Sequence, residues 1–212
     1  MILRLFTLVF LIWGAAASVF ADVPDTSIST AIDLDRKFRS ALSPLTLRTL
    51  MRNSEEGNEK LYKRDYLVAI PAHKGGKQWA CLAEALYFEA RGEEIKGQFA
   101  VAEVILNRVD SAAFPSSPCG VVHQGTGRRF ACQFTYDCDG RAEIIRDKKA
   151  YVQVGKVAQL MLEGAPRRLT KGALYYHTKS VNPRWAKSFF KTATIGRHYF
   201  YAPPQKLSKV TE

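Results

Sequence analysis

One glutamate, Glu89, closes an apolar-striped segment in "YFEARGEEIKGQFAVAEVILNRV" (residues 87–109) and is followed at once by a glycine turn and a second striped segment. At 100° per residue Glu89 falls about 20° from Leu82, at the border of the stripe, while Glu84 points to the opposite side. A carboxyl group at that border is partly desolvated. Desolvation raises its pKa, which is what a general acid working near neutral pH requires. The structural alternative is an ion pair between Glu89 and Arg91 or another cation at the helix end. Glu93, Glu94, Asp137 and Asp139 are the acids that could supply a second carboxylate, and Glu93, in the same motif, ranks first as a structural or electrostatic helper.

Metal chemistry finds little support in the pattern. His177 and His198 lie among aromatics on strand-like segments with no acidic or histidine partner at ligand spacing, so packing or a hydrogen bond is expected for each. The cysteines Cys81, Cys119, Cys132 and Cys138 contain no CxxC pair, and their separations of 38, 13 and 6 fit no standard zinc pattern. Neither a metal nor a cofactor is expected. In an exported chain an even cysteine count reads instead as two disulfides. Three pairings are open, with the short Cys132–Cys138 loop as the candidate local bridge.

These residues need elements to hold them. Trp79, Ala83, Leu86 and Ala90 recur at helical spacing, so a helix is expected over Lys77–Arg91, with Gly92 as its left-handed cap. Ile95, Phe99, Ala102, Leu106 and Val109 mark a second, largely buried helix that ends on Asn107 and Arg108. A third begins after Asp147 as N-cap and stops at Gly164, with Pro166 beyond. Between the second and third helices, residues 110–146 read as a loop region pinned by cysteines, with a strand-like "CQFTYDC". The segments "GALYYHT", "KTATI" and "RHYFYA" then predict a small antiparallel sheet. The class is α+β, helices first, with a groove between helices and sheet. Tyr175 and Tyr176 alternate on a strand, so only one of them faces that groove.

At 212 residues and 47% hydrophobic, the chain suits one domain with a core of its own. Residues 1–21 combine Arg4, an apolar run from Leu5 to Phe20 and a small-residue ending at Ala21, the pattern of a cleaved secretory signal peptide; an uncleaved membrane anchor is the alternative. Residues 22–76 read as a linker or loosely packed extension, with a short helix around Leu34–Met51. Residues 77–202 form the organised domain, and 203–212 a disordered tail. The formal charge of +11 favours polyanionic partners. No nucleic-acid-binding module is recognisable, so an anionic envelope polymer is the better partner for an exported basic chain. A secreted or periplasmic monomer, touching membrane only through an uncleaved signal segment, is expected.

The strings "CLAEALYFEARGEEIKGQFAVAEVILNRV", "FPSSPCGVVHQ", "CQFTYDCDG" and "GALYYHT... IGRHYFY" closely resemble the SleB-type cell wall hydrolases over about residues 79–201. The resemblance implies a lysozyme-like fold and places the family's catalytic glutamate of the "EARGE" motif at Glu89. It implies a lytic transglycosylase that cuts peptidoglycan glycan strands and releases 1,6-anhydro-muramic products. A water-using muramidase or glucosaminidase, an amidase and a non-catalytic glycan-binding protein are the alternatives. Gln124, Gln133 and Phe134 match family motif positions, and amides with an aromatic suit N-acetyl sugars. Glu93, Asn107, Arg108, Tyr176 and Trp185 complete the expected substrate-binding set, although Asn107 and Arg108 also read as a cap and a helix-terminus cation, and Trp185 as a loop anchor. Glu94 and Thr135 stand where the family often has proline and serine. The peptidoglycan-binding repeat of spore-germination members is missing, which favours a general envelope role over spore cortex.

Overall fold

The computed structural model describes Thr30, Asp33 and residues 56–127 and 132–204. The expected signal segment, the helix around Leu34–Met51 and the tail beyond 204 lie outside the described residues. The described residues from Glu56 to Pro204 belong to one compact unit.

Part of the stretch read as a loose extension is packed. Residues 56–61 are helical and α1 spans Arg64–Ala69. Leu67 is 2% exposed, and Lys156 Nζ donates to its carbonyl at 2.8 Å. Tyr62 meets Phe99 edge-on at 5.1 Å. The organised unit therefore starts well before Lys77. Its first helices are too short to show a helical period, which is why composition alone suggested a linker.

The main helices follow the apolar stripes. α2 is Lys77–Ala90 and α3 is Ile95–Val109, and Leu82, Leu86, Phe99, Val101 and Ile105 are each at most 1% exposed. Gly92 does not adopt the expected left-handed cap. Arg91 ends α2 at φ −58°, and Glu93 N returns to Ala90 O at 2.9 Å, a right-handed turn that needs no glycine. α5, Lys148–Leu162, starts as expected, with Asp147 Oδ1 accepting from Ala150 N at 2.9 Å, and is followed by Gly164 at φ 97°. Within the cysteine-rich region, α4 spans Pro118–Val122 behind a Ser117 cap, packed on α2 and α3. "CQFTYDC" is not a strand: Thr135–Cys138 is a 3-10 helix. Its alternating aromatics mimic strand spacing, but Phe134 is buried in the core and Tyr136 stacks on Phe88.

The chain closes with β1 (Tyr175–Thr178), β2 (Phe190–Ile195) and β3 (His198–Ala202), antiparallel in the order β1-β3-β2. Tyr176 pairs with Phe200 and Thr178 with His198, and a bulge lies between Lys191 and Ala193. Helices first and a small antiparallel sheet last is the expected α+β arrangement. Among the described residues no helix is long and apolar enough to cross a membrane.

Candidate active site

Three parts of the fold meet at Glu89. The last turn of α2 supplies Phe88 and Glu89, the end of α3 supplies Arg108, and β1 and β3 supply Tyr176, His177, Thr178 and His198. With Gln133, Phe134, Thr135 and Val181 they line a cleft of about 440 Å³ between helices and sheet. Glu89 is its only carboxylate among the described lining residues.

Glu89 is partly buried, and Tyr176 Oη donates to its Oε2 at 3.0 Å. Burial raises the carboxyl's pKa, while the Tyr176 hydrogen bond and the Arg108 charge pull it back. Burial and the adjacent Glu89 hold the Tyr176 pKa well above that of a free phenol, so Tyr176 remains a donor. Arg108 is 2% exposed. Its Nε donates to Leu174 O at 2.7 Å and its guanidinium lies over Phe134 at 5.7 Å. With the Gln133 amide oxygen turned toward it, the orientation that satisfies both groups, Arg108 Nη2 and Nη1 donate at 3.2 and 3.3 Å. A buried guanidinium held this way is a fixed positive charge facing a cleft whose one acid is Glu89.

Two other expected residues reach the cleft differently from their sequence reading. Gln133 meets it as the partner of Arg108. Phe134 is 2% exposed, so most of its ring is committed to the core rather than offered to a sugar. Three more do not line it. Asn107 donates to Ala173 O at 3.0 Å and ties α3 to the strand region, because the residue before Arg108 leaves the helix on a different side. Gln124 accepts from Gln133 N at 2.9 Å through its carbonyl, so it supports the loop with backbone rather than with its amide. Trp185 stands behind His177 in an aromatic cluster with Tyr175, Phe189 and Tyr201, where it anchors the loop.

Glu93 also turns away from the cleft. Its Oε2 accepts from Arg197 N at 3.0 Å and its Oε1 lies 3.5 Å from His198 Nδ1. It clamps the β2–β3 hairpin to the α2–α3 turn. Burial lowers the His198 pKa against the pull of Glu93, which leaves a neutral ring on the cleft wall at pH 7. His177 Nε2 lies 3.0 Å from Tyr201 Oη. The remaining acids do not line the cleft either: Asp137 pairs with His123 at 3.0 Å and with the Thr126 hydroxyl, Asp139 accepts from Arg141 N at 2.8 Å, and Glu94 is exposed at the start of α3. Among the described residues no group of three or more His, Cys, Asp or Glu side chains is placed to hold a metal ion.

Phe88, Thr135, His177, Thr178, Val181 and His198 line the cleft without having been expected there. The strand pattern around Tyr176 is the signal that could have found three of them. Cys81 and Cys119 stand at disulfide distance with Cα atoms 5.2 Å apart, as do Cys132 and Cys138 at 6.1 Å.

The family model described as Cell Wall Hydrolase matches residues 92–201, just over half of the chain. The chain belongs to the cell wall hydrolase family. The match begins three residues beyond Glu89. Among the relatives of this cell wall hydrolase, the spore cortex-lytic enzyme of Bacillus subtilis (strain 168) is 32% identical over 145 residues, 66% of this chain and 43% of that protein. The spore cortex-lytic enzyme of Halalkalibacterium halodurans is 33% identical over 132 residues, 62% of this chain and 36% of that protein. The chain thus spans less than half the length of these curated relatives. Of solved structures, the catalytic domain of the germination-specific lytic transglycosylase SleB from Bacillus anthracis is 31% identical, covering 63% of this chain and all of that one, with a TM-score of 0.48.

Proposed function

We propose that this protein is a lytic transglycosylase that cleaves peptidoglycan glycan strands with Glu89 as its single acid and base. Membership of the cell wall hydrolase family supports the substrate, and a cleft with one carboxylate among its described lining residues carries the mechanism. Hydrolysis by paired acids needs a second carboxyl group about 5–10 Å from the first, and Glu93, Glu94, Asp137 and Asp139 do not line the cleft. Glu89, whose burial favours the protonated form, gives its proton to the oxygen leaving the anomeric carbon of N-acetylmuramic acid. The same carboxylate then takes the proton of that sugar's 6-hydroxyl as the hydroxyl oxygen attacks the anomeric carbon. The bond to the leaving oxygen breaks, the 1,6-anhydro bond forms, and no water is consumed. Tyr176 and Arg108 stabilise the transient carboxylate.

The same reading makes the chain an exported monomer with residues 1–21 removed and both cysteine pairs oxidised. Replacing Glu89 with Gln keeps shape and hydrogen-bonding capacity but removes the transferable proton. Release of muropeptides by the folded Glu89→Gln protein should fall by about 10²–10⁴. Glu84→Gln, at a residue that does not line the cleft, should cut at nearly the wild-type rate. A Glu89→Gln protein, folded by circular dichroism, that releases muropeptides as fast as wild type would refute the proposal.

A further inference from the structure

A second pocket of about 340 Å³ lies against the Glu89 cleft, and Phe88 lines both. The short helix at Thr135–Cys138 divides them, giving Thr135 to the cleft and Tyr136 to the second pocket. The other side of the second pocket carries Asp139, Arg141, Glu143 and Arg146. Its backbone is anchored on both flanks. Arg141 N donates to Asp139 Oδ1 at 2.8 Å, and Arg146 N and Asp147 N both donate to Tyr87 Oη, at 3.1 and 3.0 Å.

The pocket's chemistry differs from that of a sugar site. Phe88 and Tyr136 stack on each other at 4.5 Å and 23°, which commits one face of each ring to the other. Its exposed lining carries two guanidinium groups and two carboxylates, with Ala142 and Ile144 interspersed among them. A lining of both signs matches a ligand that itself carries carboxylates and an ammonium group. Tyr136 Oη adds a buried phenol with no hydrogen-bond partner among the described residues.

We infer that this second pocket receives the peptide arm of the muramoyl residue whose glycosidic bond lies at Glu89, with Arg141 and Arg146 on the arm's carboxylates and Asp139 and Glu143 on its ammonium group. The inference rests on the proposed glycan-cleaving function and deepens it: the enzyme selects strands that carry stem peptides. Fork-shaped guanidinium groups suit carboxylates, and the shared Phe88 wall sets the arm beside the scissile sugar.

The test compares two polymers, peptidoglycan with intact stems and the same glycan after an amidase has removed them, each digested by the full chain. Wild type should show kcat/KM about tenfold or more higher on the stem-bearing polymer. In Arg141→Ala/Arg146→Ala protein the ratio of the two rates should fall toward one, and Arg141→Lys/Arg146→Lys, which keeps the charge, should recover part of it. Equal wild-type rates on the two polymers, or an undiminished ratio in the double alanine variant, would overturn the inference and leave the glycan-cleaving function standing. Failure of wild type to cut either polymer would overturn both.

Discussion

The Glu89 carboxyl sits between opposing influences, with burial favouring its protonated form while the Tyr176 hydroxyl and the Arg108 charge favour the carboxylate. Burial prevails, so the group holds its proton to higher pH than an exposed glutamate and can act as an acid there. The activity should therefore decline on the alkaline side as Glu89 loses its proton. In Tyr176→Phe the stabilising hydrogen bond is gone, the carboxyl pKa rises further, and that alkaline limb should move to higher pH; a rate profile of the variant on solubilised glycan measures it. A limb that stays in place or moves to lower pH would contradict the assignment. The border position of Glu89 was visible from helical spacing, but spacing left an ion pair with Arg91 open, and its role as the acid was implied by the family resemblance. Its partners were only half legible. Arg108 read equally well as a helix-terminus cation, and the Tyr176 contact joins residues 87 positions apart.

At the scale of elements, the β2–β3 hairpin brings His198 to the cleft, and one contact fixes where that hairpin sits. Gly196 at the hairpin turn adopts φ 53°, and a Cβ there would overlap the Glu93 carboxylate, which is already bound to Arg197 N. Gly196→Ala should destabilise the protein by about 1–3 kcal/mol, read from urea unfolding. Gly92→Ala should be nearly neutral, since Gly92 has no positive φ and no atom within 4 Å of an added Cβ. Equal losses in the two variants would contradict the clamp. The long helices and the three strands were legible because their periods of 3.6 and 2 persist over enough residues. The 3-10 turn at Thr135–Cys138 and the packed residues 56–70 were not: four to six residues cannot display a period, and their conformation is decided by tertiary partners such as Phe88 and Phe99. Glu93 was read as a helper of the acid, whereas it grips a hairpin whose return to the α2–α3 turn no local pattern announces.

For the whole molecule, a formal charge of +11 and membership of the cell wall hydrolase family fit an exported protein working on an anionic polymer. Export and oxidation can be read together. The intact mass of protein recovered from the envelope, measured without reductant, should correspond to a chain beginning at or near Asp22 and lacking four cysteine hydrogens. Retention of residues 1–21, or a mass showing free thiols, would contradict that part of the account. The charge and the cysteine count were plain from composition, and the short Cys132–Cys138 loop was readable as a local pair, whereas the meeting of Cys81 and Cys119 depends on α4 packing beside α2, a contact that spacing cannot reveal. The central claim is that one carboxylate cleaves the strand without water, and the mass of the products tests it most directly. Purified wild-type protein digesting isolated peptidoglycan should release muropeptides that end in 1,6-anhydro-muramic acid, each lighter by one water than its hydrolysed counterpart and resistant to borohydride reduction. Products that carry only reducing ends would mean that water is the acceptor, and the single-carboxylate mechanism would be wrong.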